Sequence, residues 1–216
     1  MISLITPDRY REFPETLASM YRLRHHIFRE RMDWDVPFVP DSQGRFMEMD
    51  QYDTLRPHYL VAQDASGEVV GSLRMLPTTG PYMVRNTFPA LLGDHEPLIS
   101  ERAWEASRIA VDTSAAVVRA NRRATSKLFG QLVAATVEFG MAHNLLGVAF
   151  VVDLRVERLL KRCGLEVQRY GPPQPVGSGP AIAGIMTPDA TQLARVRATC
   201  GIAEPVLWRP MLEAAA

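Results

Sequence analysis

The sequence predicts an α/β fold, a three-layer α/β/α sandwich with a mixed central sheet. Two observations predict it. Helix-spaced apolar residues alternate along the chain with short β-rich runs, and residues 147–152 form one continuous apolar run, typical of a strand buried on both faces. Helices and strands that alternate in this way pack as helices on both sides of a sheet.

The first helix is predicted over residues 13–31, where apolar side chains recur at steps of three and four residues and leave one face polar. A polar, turn-rich stretch follows at 37–56, and loops of such length are often functional, so we interpret it as a lid or a substrate wall. Residues 58–63 and 68–76 are β-rich and are joined through Gly67, which predicts an antiparallel hairpin.

After a second irregular stretch, residues 103–111 alternate as a strand does, which predicts Glu105 and Ser107 on one face and Arg108 on the other. The rest of the chain predicts helices and strands in turn: helix 124–143, strand 147–152, a short basic helix 155–162 ending at Gly164, strands 165–170 and 181–186, and helix 190–199. Since no linker or repeat interrupts this order, we expect one domain over residues 1–216.

Composition excludes several classes of protein. Lys plus Arg number 24 and Asp plus Glu also 24, so no overall field favours nucleic acid. The N-terminal segment has the pattern of neither a signal peptide nor a membrane span, so we expect a cytoplasmic protein without a membrane partner. Cys163 and Cys200 lack metal-ligand spacing, so no metal site is predicted.

Charged and aromatic residues cluster in the first half in four linked motifs. They are Arg24-x3-Phe28-x5-Trp34, Glu48-Met-Asp50-Gln-Tyr-Asp53, Gly71-Ser-Leu-Arg74-Met-Leu-Pro77 and Trp104-Glu105-Ala-Ser-Arg108. Taken singly, such residues usually face water or cap turns. Their combined spacing indicates a site.

The combined motifs resemble the acyl-homoserine-lactone synthases, the autoinducer synthases of the LuxI type, from the first helix to at least Gly164. The resemblance implies an acyltransferase that joins an acyl thioester to S-adenosylmethionine and closes a lactone. The products would be an N-acyl-homoserine lactone, a quorum-sensing signal, and methylthioadenosine. The near-invariant family positions match Arg24, Phe28, Trp34, Asp50, Asp53, Arg74, Glu105 and Arg108, and a further family Phe matches Phe88.

The family fold resembles the GNAT acetyltransferases, so a splayed central sheet that opens a cleft for the thioester arm is implied. GNAT enzymes carry a glycine-containing loop that binds the pyrophosphate of coenzyme A at a helix start. The corresponding segment here, 118–125, contains no glycine, which disfavours an ordinary acetyl-CoA enzyme. No tightly bound cofactor is expected, because S-adenosylmethionine and the thioester are both substrates.

Glu105 is the predicted general base, because the ammonium of S-adenosylmethionine must lose a proton before it attacks a thioester. It would act directly or through a water, and a salt bridge to an arginine is the structural alternative. The remaining matched residues are predicted to order a lid around S-adenosylmethionine, with Phe28 and Trp34 against its adenine or sulfonium end.

The acyl pocket is predicted at Trp104, Ser107, Phe150 and Val152. Relatives that take 3-oxo chains carry a Thr where Phe150 stands, so a short, branched or aromatic chain is favoured. The resemblance places donor docking at Arg158 and Arg162, whose basic helix would meet either an acyl carrier protein or the phosphates of acyl-CoA, or simply face water. Two rival functions are an N-acyltransferase for another amine and a non-catalytic thioester- or adenosyl-binding protein.

Overall fold

The computed structural model describes residues 1–112, 122–177 and 179–208, with side chains from 127 onward in the second range. The helices are α1 (Pro14–His25), α2 (Met83–Asn86), α3 (Arg122–Ala142), α4 (Leu154–Arg162) and α5 (Ala190–Cys200), with a π-helical turn (His26–Arg31) directly after α1 and 3₁₀ turns at Pro7–Glu12 and Pro89–Leu92. The strands are β1 (Ile2–Ile5), β2 (Phe38–Pro40), β3 (Phe46–Glu48), β4 (His58–Gln63), β5 (Val69–Pro77), β6 (Ala103–Val111), β7 (Gly147–Asp153), β8 (Gln168–Arg169), β9 (Gln174–Val176), β10 (Gly179–Met186) and β11 (Leu207–Trp208).

One mixed sheet runs through the described residues in the order β11-β1-β4-β5-β6-β7-β10-β8, and β9 pairs with β10. β1 with β11 and β6 with β7 are parallel pairs, and the other pairs are antiparallel. α1 covers one face, where its apolar residues pack with Ile5, Tyr59 and Val61, and α3 covers the other with Leu60, Leu73 and Met75. The three-layer α/β sandwich is confirmed.

The sheet opens at its centre, between β6 and β7. These strands pair from Ala103 opposite Gly147 to Ala106 opposite Phe150, and no further pairing follows although both strands continue. The predicted splay therefore begins directly after Ala106. Residues 107–109 of β6 and 151–152 of β7 border the gap.

The predicted direction of Arg108 is wrong, because β6 carries a bulge. The register of β5 against β6 shifts between Ser72 and Arg74, so that Leu73 alone spans both Arg108 and Ile109. Arg108 itself has a left-handed backbone, with φ of 54°. A bulge turns the side chain away from strict alternation, and Arg108 is thereby directed to the same side as Glu105, where it pairs with Glu48.

Other differences arise where strands depend on distant partners. The predicted loop 37–56 contains the hairpin of β2 and β3, and β1 pairs with β4 and with β11 near the other end of the chain. The predicted strand 165–170 is reduced to Gln168–Arg169. Gly164 has φ of 85°, as a left-handed helix cap requires, and α4 ends two residues before it.

Two further sequence expectations concern the glycine-free segment 118–125 and the absence of a membrane span. Within the glycine-free segment, residues 118–121 lie outside the described residues, and 122–125 are the start of α3. None of the described helices combines the length and the apolar character that a membrane span would need.

Candidate active site

Six charged side chains meet at the end of α1 and form what we call the ionic network. All are buried except for a small exposed fraction of Arg108, 12% of its side chain. The members are Arg24, Glu48, Asp50, Asp53, Arg74 and Arg108. Five of the six were predicted as site residues; Glu48 was quoted within a motif but given no role.

Each arginine of the ionic network bridges two carboxylates. Arg24 donates to both oxygens of Asp53 at 2.9 and 2.7 Å and also contacts Glu48. Arg74 lies between Asp50 at 2.6 Å and Asp53 at 2.9 Å. Arg108 closes the ring, with Glu48 at 3.0 Å and Asp50 at 2.8 Å. Paired, hydrogen-bonded charges of this kind fix one geometry, because removing any member leaves two other buried charges with one partner fewer.

Asp53 is the most strongly held carboxylate. Burial by itself would raise its pKa, but the guanidinium groups of Arg24 and Arg74 outweigh burial and hold the pKa of Asp53 well below its usual value. Tyr59 donates its hydroxyl to Asp53 at 2.8 Å, and the backbone N–H of Asp50 donates at 2.9 Å. Asp53 therefore ties the loop to α1 and to β4 and β5.

Glu48 is the buried end of a short hairpin strand, and no sequence pattern marks it. Along β3 the exposure falls from Phe46 to Glu48, whereas strict alternation would give these two residues the same exposure. The sequence interpretation missed it because the segment was assigned to an irregular loop. Tyr59 was also missed, since an aromatic residue on a β-rich run is ordinarily core.

Aromatic rings form one wall of a cleft of about 630 Å³ that lies beside the ionic network. Phe28 and Trp34 stack with ring centroids 5.3 Å apart and planes 6° from parallel, and the Arg108 guanidinium lies 5.7 Å from the Phe28 centroid. Phe88 lines the same cleft. The three predicted aromatics are thus brought together around one space.

Glu105 lies on β6 at the floor of this cleft, with no exposed surface. Its two oxygens accept the backbone N–H groups of Met83 at 3.1 Å and Val84 at 2.7 Å, at the start of α2. Among the described residues it forms no ion pair, so the salt-bridge alternative is not supported. Burial raises the pKa of Glu105 to about 7, against the lowering effect of those two N–H groups and of Arg74 and Arg108.

Met83 connects Glu105 to the ionic network and was not predicted. Its backbone N–H holds the carboxylate, and its sulfur accepts from Arg74 at 3.3 Å and from Arg108 at 3.6 Å. No sequence signal marks such a residue, because a thioether is a weak acceptor and usually a core group.

A second, smaller cavity of about 60 Å³ lies on the α3 side of the sheet, and the two cavities meet at the gap between β6 and β7. Ser107 and Val152, two of the predicted acyl-pocket residues, line both cavities, and Phe150 lines the smaller one. Trp104 lines neither. It packs in an aromatic cluster, 4.8 Å from the ring centroid of His58 and 5.1 Å from that of Phe139, so its position does not support the predicted role.

The predicted donor-docking residues lie on the outer surface of α4. Arg158 and Arg162 are exposed, and the described residues offer neither of them an ion pair. The helix itself is anchored by buried Glu157, which accepts from Arg169 at 2.7 and 2.6 Å and pairs with Lys161 at 2.8 Å.

Known proteins resemble this chain in sequence and in architecture. The chain is 36% identical over 198 residues to an acyl-homoserine-lactone synthase of Agrobacterium fabrum, covering 90% of each protein, and 34% identical over 183 residues to one of Pseudomonas aeruginosa, covering 83% of this chain and 87% of that protein. A solved CoA-dependent acyl-homoserine lactone synthase, BjaI, with SAM and isopentyl-CoA superposes with a TM-score of 0.82 at 26% identity, covering 99% of this chain and 95% of that one. The sequence model of the autoinducer synthases matches residues 9–196. This chain therefore belongs to the autoinducer synthase family.

Proposed function

We propose that this protein is an acyl-homoserine-lactone synthase in which Glu105 is the general base. The observation that carries the proposal is the position of Glu105: a buried carboxylate, without an ion-pair partner among the described residues, at the floor of the large cleft and two residues before the gap where the two cavities meet. A carboxylate with a pKa near 7 can accept a proton at neutral pH and release it again. A binding protein would have no need of such a group.

The large cleft suits a cationic substrate. Its described lining carries one arginine, Arg108, and five carboxylates: Asp33, Asp35, Asp50, Glu105 and Asp153. S-adenosylmethionine has a sulfonium, an ammonium and one carboxylate, and is therefore a net cation. The stacked rings of Phe28 and Trp34 offer a face for its sulfonium or adenine, through cation–π contact or stacking.

The acylation step begins at the ammonium of S-adenosylmethionine. Glu105 takes its proton, directly or through one bridging water, and the freed amine attacks the thioester carbonyl at the gap between β6 and β7. The tetrahedral intermediate collapses, the C–S bond breaks, and the thiol leaves with a proton. Ser107 lines both cavities at this point and accepts from Nε of Arg74 at 3.1 Å, and the role we assign to it is to donate its hydroxyl hydrogen to the thioester.

Lactone closure needs positioning more than acid–base chemistry. The carboxylate oxygen of the acylated substrate attacks its own γ-carbon, and methylthioadenosine departs as the C–S bond to the sulfonium breaks. Because a sulfonium is already a good leaving group, the protein mainly has to hold the chain folded in a near-attack geometry. The ionic network supplies a rigid wall for that purpose, with Arg108 directed into the cleft by the bulge of β6.

The acyl donor is a thioester of coenzyme A or of an acyl carrier protein. The similar structure that holds isopentyl-CoA supports the former. The exposed Arg158 and Arg162 on α4 support the latter, because an acidic carrier surface would complement them. Both donors belong in the first assay.

That assay incubates the purified protein with S-adenosylmethionine and matched panels of acyl-CoA and acyl-carrier thioesters, with products identified by mass spectrometry. We expect an N-acyl-homoserine lactone and methylthioadenosine in equal amounts. Thiol release without methylthioadenosine would instead indicate a different amine acceptor, and binding without turnover would indicate a non-catalytic protein. Either result overturns the proposal.

The role of Glu105 is tested by Glu105→Gln, which keeps the shape of the side chain but cannot accept the proton. We expect kcat to fall by about 10²–10⁴-fold, with S-adenosylmethionine binding retained. Glu166→Gln, a substitution of the same chemistry at an exposed carboxylate paired with Arg195, is the matched control and should keep full turnover. Unchanged turnover in Glu105→Gln would remove Glu105 from the mechanism.

A further inference from the structure

The small cavity on the α3 side of the sheet limits which acyl group can be transferred. It opens at the gap where the thioester carbonyl is attacked, and its other described walls come from β5, β7, β10, α3 and α4. A chain attached to that carbonyl would extend away from Glu105 into this space. The dimensions and chemistry of the cavity therefore select the acyl group.

The cavity is small. Its open space is about 60 Å³. A water-sized sphere occupies roughly 10–15 Å³ on the same scale, so the space accommodates roughly four to six non-hydrogen atoms. A methylene group is about as large as a water molecule, so this corresponds to a similar number of carbon atoms.

The cavity is also apolar beyond its mouth. Its polar lining groups at the gap are Ser107 and Arg108, whereas the deeper described lining consists of aliphatic, aromatic and methionine side chains, with Thr136 as the exception. Thr136 donates its hydroxyl to the carbonyl of Leu132, one turn earlier in α3, at 2.9 Å. The far end of the chain therefore meets no free donor in the described lining, and a polar group there would lose its hydration without compensation.

Phe150 forms a wall that cannot retreat. Its ring lies over Gly184 of the neighbouring strand β10, where an added Cβ would be only 2.8 Å from Cζ of the ring. The ring thus already occupies the space left by the missing side chain. It is backed by the sheet, so a longer acyl chain could not displace it in that direction.

We propose that this enzyme selects a short acyl group with an apolar end, of about four to six carbons, straight or branched, and that Phe150 and Thr136 set this limit. The inference rests on the proposed function, since it assumes lactone synthesis at the gap. It concerns only the length and polarity of the chain.

The test measures kcat/KM for saturated acyl-CoA and acyl-carrier thioesters from four to twelve carbons, with five-carbon branched chains included. We expect the value to be highest at about four to six carbons and to fall at least about tenfold by ten carbons, since a misfitting methylene costs about tenfold or more. Lactone formation with equal efficiency at ten or twelve carbons would overturn the inference and leave the proposed function intact. No lactone with any donor would overturn the proposed function itself.

Two substitutions move the limit in opposite directions. Phe150→Leu enlarges the cavity and should shift the preferred chain by about two or more carbons upward, and Thr136→Leu fills it and should shift the preference downward. Phe139→Leu removes an equal ring volume from the neighbouring core outside both cavities and should leave the chain profile unchanged. If one of the two cavity variants fails to fold, the chain-length profile of the other still tests the assignment. An unchanged profile in a folded cavity variant contradicts the assignment.

Discussion

The two sides of the gap between β6 and β7 are built on different physical principles. On the α1 side, six buried charged side chains form a ring of ion pairs. Each carboxylate or guanidinium in the ring fixes the orientation of its two neighbours. On the α3 side, apolar side chains enclose a small space in which only size and shape matter. The difference teaches that the charged side permits one arrangement of its residues, whereas the apolar side restricts what it holds by size and shape alone.

The largest expected effect comes from breaking the charged side at Glu48. Glu48→Gln leaves Arg24 and Arg108 each without one carboxylate in a buried site, so we expect about 3–5 kcal/mol of lost stability and the loss of most turnover. Chemical denaturation monitored by circular dichroism measures the first quantity and methylthioadenosine release the second.

Glu166→Gln again serves as the matched control, because its pair with Arg195 is exposed and should be worth about 0–1 kcal/mol. If both substitutions cost the same, the ionic network is no more than a set of ordinary surface pairs. The contrast between the two sides of the gap would then lose its basis.

A smaller effect is expected from pH, and it separates Glu105 from the ionic network. Glu105 accepts a proton only when ionised, and burial raises its pKa to about 7, so kcat/KM should rise with pH through about 7. The pKa of Asp53 is held far below its usual value by Arg24 and Arg74, so this carboxylate of the ionic network stays ionised throughout this range. Below about pH 7, activity should fall about tenfold per pH unit, whereas the free energy of unfolding should rise as the pH falls, because a carboxyl whose pKa is raised on folding stabilises the folded state when it is protonated.

The measurement compares kcat/KM, followed by methylthioadenosine release, with unfolding midpoints between about pH 5.5 and about pH 8.5. A profile that is flat through pH 7 would contradict the elevated pKa of Glu105. Activity that falls only where the protein also unfolds would place the titration in the ionic network instead.

The same contrast explains how much the sequence could predict. Strands 58–63 and 103–111 were predicted with their observed bounds, because the β-rich composition of the first and the alternation of the second are local features. Five members of the ionic network were identified because charged residues at fixed spacing carry a family signature. The acyl-pocket role of Trp104 is not supported: the ring lies on the α3 side, as the small cavity does, but packs against Phe139 and His58 outside the cavity, and the sequence does not show where along a strand a cavity ends.

What the sequence could not predict depends on partners far along the chain. The direction of Arg108 follows from a bulge, which is set by the register of β5 and is invisible in β6 alone. The burial of Glu48 follows from the packing of a three-residue hairpin against α1. The hydrogen bonds that hold Glu105 come from backbone N–H groups of residues 83 and 84, which leave no trace in side-chain identity.

The smallest effect is expected on the outer surface of the apolar side, where charges are exposed rather than buried. Arg158→Glu with Arg162→Glu should change the free energy of unfolding by no more than about 0.5 kcal/mol, because neither side chain has an ion-pair partner among the described residues.

If these arginines dock an acidic carrier, KM for acyl-carrier donors should rise about tenfold at low salt and converge on the wild-type value at high salt. KM for acyl-CoA of the same chain length should change much less, since steering by a whole protein surface is not involved. Arg11→Glu, at an exposed arginine of the 3₁₀ turn Pro7–Glu12, is the control and is compared with Arg158→Glu alone, which changes the charge by the same amount. An equal rise with both donors would place Arg158 and Arg162 at the phosphopantetheine phosphate that the two donors share. No rise with either donor would leave α4 a solvated helix face, and the choice of donor would then be decided elsewhere on the protein.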